Sequence, residues 1–308
     1  MRGAEFLDCM EYVDADLVEA ADQKPQKQWH FNWIPLVACV CLVAVSGLVM
    51  AGMAALKTSR GITIPEVDFK NPQVTASIGY SLVYQDRFYP LDITYSEEFM
   101  SEEEFEKILD LRETSIGKTD GRFVIPKEAS DTPVSPFEGE VFTMKGYDPE
   151  FRLCLYREEE GEDGKMYRVV DIYEQLYGIT LRTGKDYFEE KLHLSENWED
   201  LMGCYTVLLD ESIPAYGVEY RPLKNVSRQQ KEAFIKTLDE CQFVDLGDQF
   251  NQFYNGDVEE KEITFLMKDG TKVDLTLFKG GWVRCEVPGP YMLQLPEEIF
   301  NTIYDSCG

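Results

Sequence analysis

Residues 34–56 form an apolar run of 23 residues without a single charge, and this run most constrains how the chain can fold. At about 1.5 Å per residue, a helix of this length reaches about 34 Å, enough to cross a hydrocarbon core of about 30 Å. Trp29 and Trp33 stand just before it, where an interfacial aromatic belt lies. We therefore predict one transmembrane helix within residues 31–57, with membrane contact through residues 34–56.

Two other signals could explain the same run: a cleaved secretory signal, or a lipoprotein signal ending at Cys39. A secretory signal begins with a short basic region and has an apolar core of about 7 to 15 residues, whereas here an acid-rich segment precedes a longer run. Lipidation of Cys39 would leave most of the apolar run after the modified cysteine. Both signals fit the sequence less well than a spanning helix.

The charges that flank the run leave its orientation undecided, because Lys24 and Lys27 on one side balance Lys57 and Arg60 on the other. We expect the short N-terminus in the cytoplasm and the large C-terminal domain outside the cell, partly from a resemblance described below. The expected location is the cell membrane, as a single-pass protein with an extracytoplasmic domain.

Residues 1–30 form a tail that contains an amphipathic helical pattern. Its apolar side chains recur at spacings of three and four, as on one face of a helix, and are Phe6, Met10, Val13 and Leu17. A helix with an apolar face and nothing to pack against is expected to contact a partner, here a cytoplasmic regulator. The open alternative is a frayed tail that lies on the membrane surface.

The net charge of −27 excludes one class of partner. Residues 1–60 hold five basic and seven acidic side chains, so nearly all of the net charge lies downstream. Such a domain repels phosphate backbones, and we expect no nucleic-acid partner. Hydrophobic residues at 44% are ample for a packed core, so the acidic part should fold.

Local signals predict an α+β fold in which one transmembrane helix is followed by antiparallel sheets with packed helices. Capping boxes at Ser101 with Glu104 and at Ser227 with Gln230 open two helices, and Pro296 starts a last one. Predicted strands occupy residues 140–145, 151–156 and 166–172, followed by a three-stranded meander at 262–268, 272–278 and 282–287.

The domain organisation follows from these elements. We predict a linker at 58–78, an α+β part at 79–215, and a helix–meander–helix part at 216–308. Whether the last two parts are one domain or two subdomains stays open.

Catalytic and metal-binding patterns are absent from the sequence. Its two histidines are His30, at the membrane boundary, and His193, which is more typical of a surface or capping residue than of a base. No Cys-x-x-Cys or His-x-x-x-His pair occurs, so we expect no zinc site, no cofactor and no enzyme activity. A hydrolase acting through paired carboxylates stays open, because acidic residues are numerous.

Five cysteines follow the apolar run, and we expect most of them to be free thiols. Cys154 and Cys285 stand in apolar alternation, which predicts core positions.

Two pairs of segments carry a resemblance to a known family. They are EYVDADLVEAA with KQWHFNWIPLVACVCLVAV, and VFTMKGYDPEFRLCLY with YGITLRTGKDYFEEKLHL. The chain resembles uncharacterised single-span membrane proteins of clostridia-type Firmicutes that are anti-sigma-factor-like. The resemblance implies a short cytoplasmic helix beginning near Val13, one membrane helix, and an extracytoplasmic domain whose ligand is unknown.

These features together predict a non-enzymatic signalling or sensory protein whose outer domain binds an envelope ligand or protein. A passive envelope interaction module is the alternative, and the carboxylate-dependent hydrolase is a further one. The expected binding surface contains Trp282, Arg284 and Tyr291, since an aromatic-rich sheet end followed by Pro288-Gly289-Pro290 suits a recognition loop.

Overall fold

The computed structural model describes residues 61–67, 80–122, 132–161, 163–210 and 215–307, with the backbone alone for 206–210 and 215–217. All of these residues belong to one compact unit. The predicted tail with its stripe (Phe6, Met10, Val13 and Leu17) and the predicted transmembrane helix lie outside the described residues. Within the described ranges, no helix is long and apolar enough to cross a membrane.

The strands of the described residues are numbered in chain order. They are β1 Ile62–Thr63, β2 Ser81–Tyr84, β3 Arg87–Ser96, β4 Arg112–Asp120, β5 Glu138–Met144, β6 Arg152–Glu160, β7 Met166–Glu174, β8 Thr180–Leu181, β9 Trp198–Asp210, β10 Ala215–Pro222, β11 Phe243–Asp245, β12 Glu260–Met267, β13 Lys272–Phe278, β14 Trp282–Arg284 and β15 Tyr291–Gln294. The helices are α1 Glu102–Leu109, α2 Lys185–Phe188, α3 Leu194–Asn197, α4 Arg228–Glu240, α5 Asn251–Tyr254 and α6 Glu297–Tyr304, with a 3-10 helix at Gly247–Phe250.

The strands build two larger sheets and one short pair. The six-stranded sheet has the order β2-β3-β7-β6-β5-β4, and the seven-stranded sheet has the order β10-β9-β12-β13-β14-β15-β11. Each pairing in both sheets is antiparallel, and β1 pairs with β8. The fold class is therefore α+β with mostly antiparallel sheets and few helices, as the sequence predicts for this part of the chain.

One large apolar core joins the two sheets and the helices. Strand alternation sends Cys154 and Ile172 of the six-stranded sheet into this core, and Phe265 and Leu275 enter it from the seven-stranded sheet. The helical contributions come from α1, α2, α4 and α6, with Phe105, Phe188, Phe234 and Phe300 among them, all fully buried. One face of each sheet thus packs against the same apolar interior.

The predicted helix starts are confirmed. Ser101 and Ser227 each accept a hydrogen bond from the backbone N–H three residues on, and the side chains of Glu104 and Gln230 bond back to the cap residue. α6 begins directly after Pro296. The three strands predicted between residues 140 and 172 are also present, with bounds moved by a few residues.

The structure differs from the sequence reasoning in the extent of the second sheet. The predicted meander is present, but its third strand ends at Arg284, ahead of Pro288 and Pro290, which cannot donate ladder hydrogen bonds. The hairpin of β9 and β10 extends the meander on its other side, so the proposed division between residues 215 and 216 falls at that hairpin.

The folded part also starts before residue 79. Within the predicted linker 58–78, Ile62–Thr63 pairs with Thr180–Leu181, and Ile64 is fully buried in the common core. The isoleucines of the segment GITIPE explain this, because they alternate as in a half-buried strand.

Candidate functional site

A buried ion pair between Arg152 and Glu174 stands at one end of the six-stranded sheet. The two residues are direct cross-strand partners on β6 and β7. Arg152 shares its face of the strand with Cys154, and Glu174 shares its face with Ile172, so both charges point towards the seven-stranded sheet. Their side chains are only 2% and 5% exposed.

Several neighbours hold this pair in place. The Nε of Arg152 donates to Oε1 of Glu174 at 2.9 Å, and its Nη2 donates to the same oxygen. The hydroxyl of Tyr187, on α2, donates to the other oxygen of Glu174 at 3.4 Å. The guanidinium group lies 4.5 Å from the ring centre of Tyr147, which adds a cation–π contact.

A β-bulge brings a second carboxylate to Arg152. The register of β3 against β7 shifts between Leu91 and Ile93, so Asp92 is the extra residue of the bulge. Its Oδ2 lies 3.8 Å from Nη2 of Arg152, and the side chain is 13% exposed. The charges of Asp92, Glu174 and Arg152 thus come from three neighbouring strands.

The seven-stranded sheet supplies the opposite wall. Lys272 and Asp274 lie on β13, and Glu286 follows β14. Asp274 and Glu286 each stand between two buried residues in the sequence, but their own side chains are exposed. Nearby protein atoms nevertheless reduce the hydration of both carboxyl groups. We call this set the junction cluster, and its members are Asp92, Arg152, Glu174, Lys272, Asp274 and Glu286.

The junction cluster surrounds a small cavity of about 40 Å³, which we call the junction pocket. Asp92, Glu174 and Glu286 also line an adjoining cavity of about 200 Å³, the side pocket. The remaining walls of the side pocket are mostly apolar and include Leu91, Leu176, Tyr177, Val287 and Pro288.

A larger open cavity of about 510 Å³, the outer groove, shares the lining residue Tyr177 with the side pocket. β3 runs along all three cavities, with Phe88 in the outer groove, Leu91 in the side pocket and Ile93 in the junction pocket. The three cavities therefore follow one another along β3, and the innermost is lined by the buried ion pair.

Three polar groups of the junction cluster lack hydrogen-bond partners among the described residues. Nη1 of Arg152 has no acceptor, although the side chain is almost fully buried. The carboxylates of Asp92 and Glu286 accept no hydrogen bond from any described residue. By contrast, Asp274 accepts one from the Thr264 hydroxyl at 2.5 Å. An unpaired buried donor such as Nη1 of Arg152 is unusual in a folded protein.

Burial and mutual repulsion shift the acid–base equilibria of the cluster. Burial, and then the charge of Glu174, raises the pKa of Asp92 well above its usual range. Crowding by protein atoms also raises the pKa of Asp274 and of Glu286, and it lowers the pKa of Lys272. Burial alone would lower the pKa of Arg152, but Glu174 and other neighbours raise it, so the guanidinium stays charged. The cluster therefore contains more carboxyl groups than cations, and burial and repulsion among these groups favour the protonated form of Asp92.

The structure brings one of the three sequence-predicted surface residues to these cavities. Arg284 lines the side pocket. Trp282 packs against Phe253 in a smaller apolar cluster, with ring centres 6.0 Å apart, and Tyr291 is a buried residue of β15. A binding role for the three stays a prediction.

Sequence reasoning missed Asp92, Arg152 and Glu174, although one signal was available. Cys154 is buried as predicted, and so is Cys285. Arg152 lies two residues before Cys154 in a predicted strand, so its side chain had to share the core face. A charge at a core position requires a partner, which predicts a buried acid nearby. All five described cysteines are free thiols, as expected.

No nucleophile and base of the usual kinds meet in these cavities. None of the described residues that line them is a serine, cysteine or histidine, and His193 lies elsewhere, with its ring centre 6.2 Å from that of Tyr147. No three His, Cys, Asp or Glu side chains are arranged as metal ligands in the described part of the chain. No family model, curated protein or solved structure matches the chain.

Removal of the arginine charge should destabilise the domain strongly. Arg152→Met leaves the carboxylates of Glu174 and Asp92 buried without a cation, and we expect it to lower the free energy of unfolding by about 3 to 5 kcal/mol. The double variant Arg152→Met with Glu174→Gln should recover part of this loss, because it removes one of the uncompensated charges. Urea unfolding followed by tryptophan fluorescence measures both.

Lys236→Met is the matched control, because Lys236 and Glu240 form an exposed pair on α4 with 3.7 Å between Nζ and Oε1. We expect it to change the free energy of unfolding by less than about 1 kcal/mol. Equal losses in Arg152→Met and Lys236→Met would contradict a special role for the buried pair.

Neutralising Asp92 should stabilise the domain at neutral pH. A carboxyl group whose pKa is higher in the folded than in the unfolded chain weakens folding as the pH rises above its ordinary pKa of about 4. We therefore expect Asp92→Asn to raise the free energy of unfolding at pH 7 and to change it little near pH 4. Urea unfolding at the two pH values tests this.

Asp257→Asn serves as the control, since Asp257 is exposed after α5 and its substitution should change the free energy of unfolding little. A loss of stability in Asp92→Asn at pH 7 would mean that Arg152 holds Asp92 in its ionised form.

Proposed function

We propose that the chain is a membrane-anchored sensory protein, non-enzymatic and anti-sigma-like, whose C-terminal domain binds a ligand outside the cell. The observation that carries this proposal is the row of cavities along β3, the innermost of which is lined by Arg152, whose Nη1 has no hydrogen-bond partner among the described residues. Concave sites with apolar walls and a few convergent polar groups are typical of ligand binding.

The position of the junction pocket, between the two sheets, also suits a sensor. Its walls come from two sheets that share one core, so a ligand that contacts Glu174 on one sheet and Glu286 beside the other links both. A ligand changes a conformational equilibrium only through different contacts in the two states, and a junction between sheets offers such contacts. Binding there can therefore bias how the sheets pack.

The remaining parts of the proposal come from the sequence. The apolar run at 34–56 anchors the chain in the membrane, and the tail stripe containing Phe6 and Leu17 contacts a cytoplasmic regulator. The resemblance to anti-sigma-factor-like proteins supports the same arrangement. The alternative to this sensory role is a passive envelope module with an inert tail.

A carboxylate-dependent hydrolase is the second candidate, and Asp92 favours it. A carboxyl group with a raised pKa beside an ionised carboxylate can act as a general acid, and Asp92 lies near Glu174 in this way. We rank it below binding, because Glu174 is already held by Arg152 and Tyr187. Turnover of an envelope polymer that is lost in Asp92→Asn would reverse this order.

Protease treatment of intact, wall-stripped cells tests the orientation. We expect the C-terminal domain to be digested from outside while a cytoplasmic marker protein stays intact, since the large acidic domain is proposed to lie outside. Detergent-permeabilised cells provide the control for protease access. Full protection in intact cells, with digestion after permeabilisation, would place the domain in the cytoplasm.

Transcript profiles test whether binding and the tail belong to one signalling path. We expect deletion of residues 1–28 and the substitution Glu286→Gln to change an overlapping set of transcripts, because the first removes the regulator contact and the second alters the pocket. Glu113→Gln is the matched control, as Glu113 is an exposed glutamate on the edge strand β4. If the tail deletion changes no transcript, the chain is a passive module.

A further inference from the structure

The polar groups that lack partners among the described residues restrict the chemical class of ligand that the junction pocket can bind. This inference rests on the proposed binding function. Among the described residues, Asp92 and Glu286 accept no hydrogen bond from a side chain or backbone group, and Nη1 of Arg152 has no acceptor. All three side chains line the same cavity of about 40 Å³. A complementary ligand therefore offers donors and an acceptor close together.

Charge decides which kind of donor fits best. Four carboxyl groups and two cations line the junction pocket, and a ligand group with positive charge stabilises the ionised form of acids that otherwise repel one another. A primary ammonium group carries one positive charge and three donors, which matches two carboxyl groups that accept no hydrogen bond from the described residues. A neutral hydroxyl would fill hydrogen bonds but leave the excess charge uncompensated.

The acceptor is expected on the ligand because Nη1 of Arg152 has none among the described residues. Its Nε and Nη2 are used by Glu174, and Nη1 is left over at 2% exposure of the side chain. An unsatisfied buried donor costs about 1 to 3 kcal/mol, so an oxygen placed beside Nη1 contributes to affinity.

The small volume fixes the spacing between the two ligand groups. A cavity of about 40 Å³ holds only about three groups the size of a water molecule. The ammonium nitrogen and the acceptor oxygen must therefore lie close together, as on neighbouring carbons, with the connecting carbons facing the side pocket. The side pocket of about 200 Å³, with Leu91, Leu176 and Val287 in its walls, accommodates the rest of a small molecule.

We propose that the junction pocket binds a primary ammonium group with an oxygen acceptor on the adjacent carbon. α-Amino acids and 2-amino sugars share this chemistry. A bare divalent cation fits less well, because no metal-ligand set is formed among the described side chains and Arg152 and Lys272 repel it. A simple anion is repelled by the carboxylates.

Calorimetric titration of the full-length chain in detergent tests the proposal with L-alanine and D-glucosamine as probes. We expect at least one probe to bind with a dissociation constant on the order of 1 mM or tighter. Lactate and D-glucose lack the ammonium group, and ethylamine lacks the oxygen, so each should bind at least tenfold more weakly. The tighter of the two probes identifies the source of the ligand.

Two variants test whether the probe binds in the junction pocket. Glu286→Gln should weaken the bound probe at least tenfold without unfolding the domain, since Glu286 is exposed, and Glu113→Gln should leave the affinity unchanged. The proposal is overturned if neither probe binds, if ethylamine or D-glucose binds as tightly as the probes, or if both variants weaken binding equally.

The two hypotheses fail separately. Transcripts that respond to Glu286→Gln without binding of either probe would retain the sensor and reject this ligand class. Binding of a probe with no transcript response to Glu286→Gln or to the tail deletion would retain the ligand class and reject the sensor.

Discussion

The ion pair of Arg152 with Glu174 is the interaction on which the arrangement of the two sheets depends. A charge that is 2% exposed is tolerated only when its partners are already in position, and here those partners come from separate elements. β7 supplies Glu174, the bulge of β3 supplies Asp92, and α2 supplies Tyr187. Tyr147 stacks on the guanidinium and donates its hydroxyl to Asp269, in the turn between β12 and β13, at 2.7 Å. The pair therefore connects the six-stranded sheet to a turn of the seven-stranded sheet.

The same contacts explain why a pocket exists at this place. Apolar side chains fill the interior between the sheets, but the charged end cannot close in the same way, because Asp92, Glu174, Asp274 and Glu286 repel one another. Arg152 offsets part of that repulsion, and the backbone N–H of Lys272 donates to the Tyr95 hydroxyl at 2.8 Å to hold the sheets together. What results is a concave wall lined by polar groups, one of which, Nη1 of Arg152, has no partner among the described residues, and such walls are common in binding sites that are formed before the ligand arrives.

The sequence predicted local structure better than it predicted the site. The capping boxes at Ser101 and Ser227 need only residues three positions apart, so they could be identified directly. β9 was missed because Glu199, Asp200 and Gly203 interrupt its apolar pattern, and pairing with β12 and β10 provides what strand propensity does not. The junction cluster combines residues from position 92 to position 286, and their proximity depends on how two sheets pack. No pattern within one segment shows how the two sheets pack. The only indication in the sequence was that Arg152 lies two residues before Cys154, on the same buried face of one strand.

Asp92 shows how a local irregularity can serve binding at the expense of stability. A regular strand would alternate through Leu91, Asp92 and Ile93, but the bulge shifts the register and places Asp92 next to a cation that Glu174 already occupies. The carboxyl group receives no hydrogen bond there, and its raised pKa reflects that disadvantage. A purely structural role does not account for such a residue, because an asparagine would fit the same position without the charge. A ligand that carries a positive charge removes the disadvantage, since it gives Asp92 a donor and gives the junction cluster the cation that it lacks.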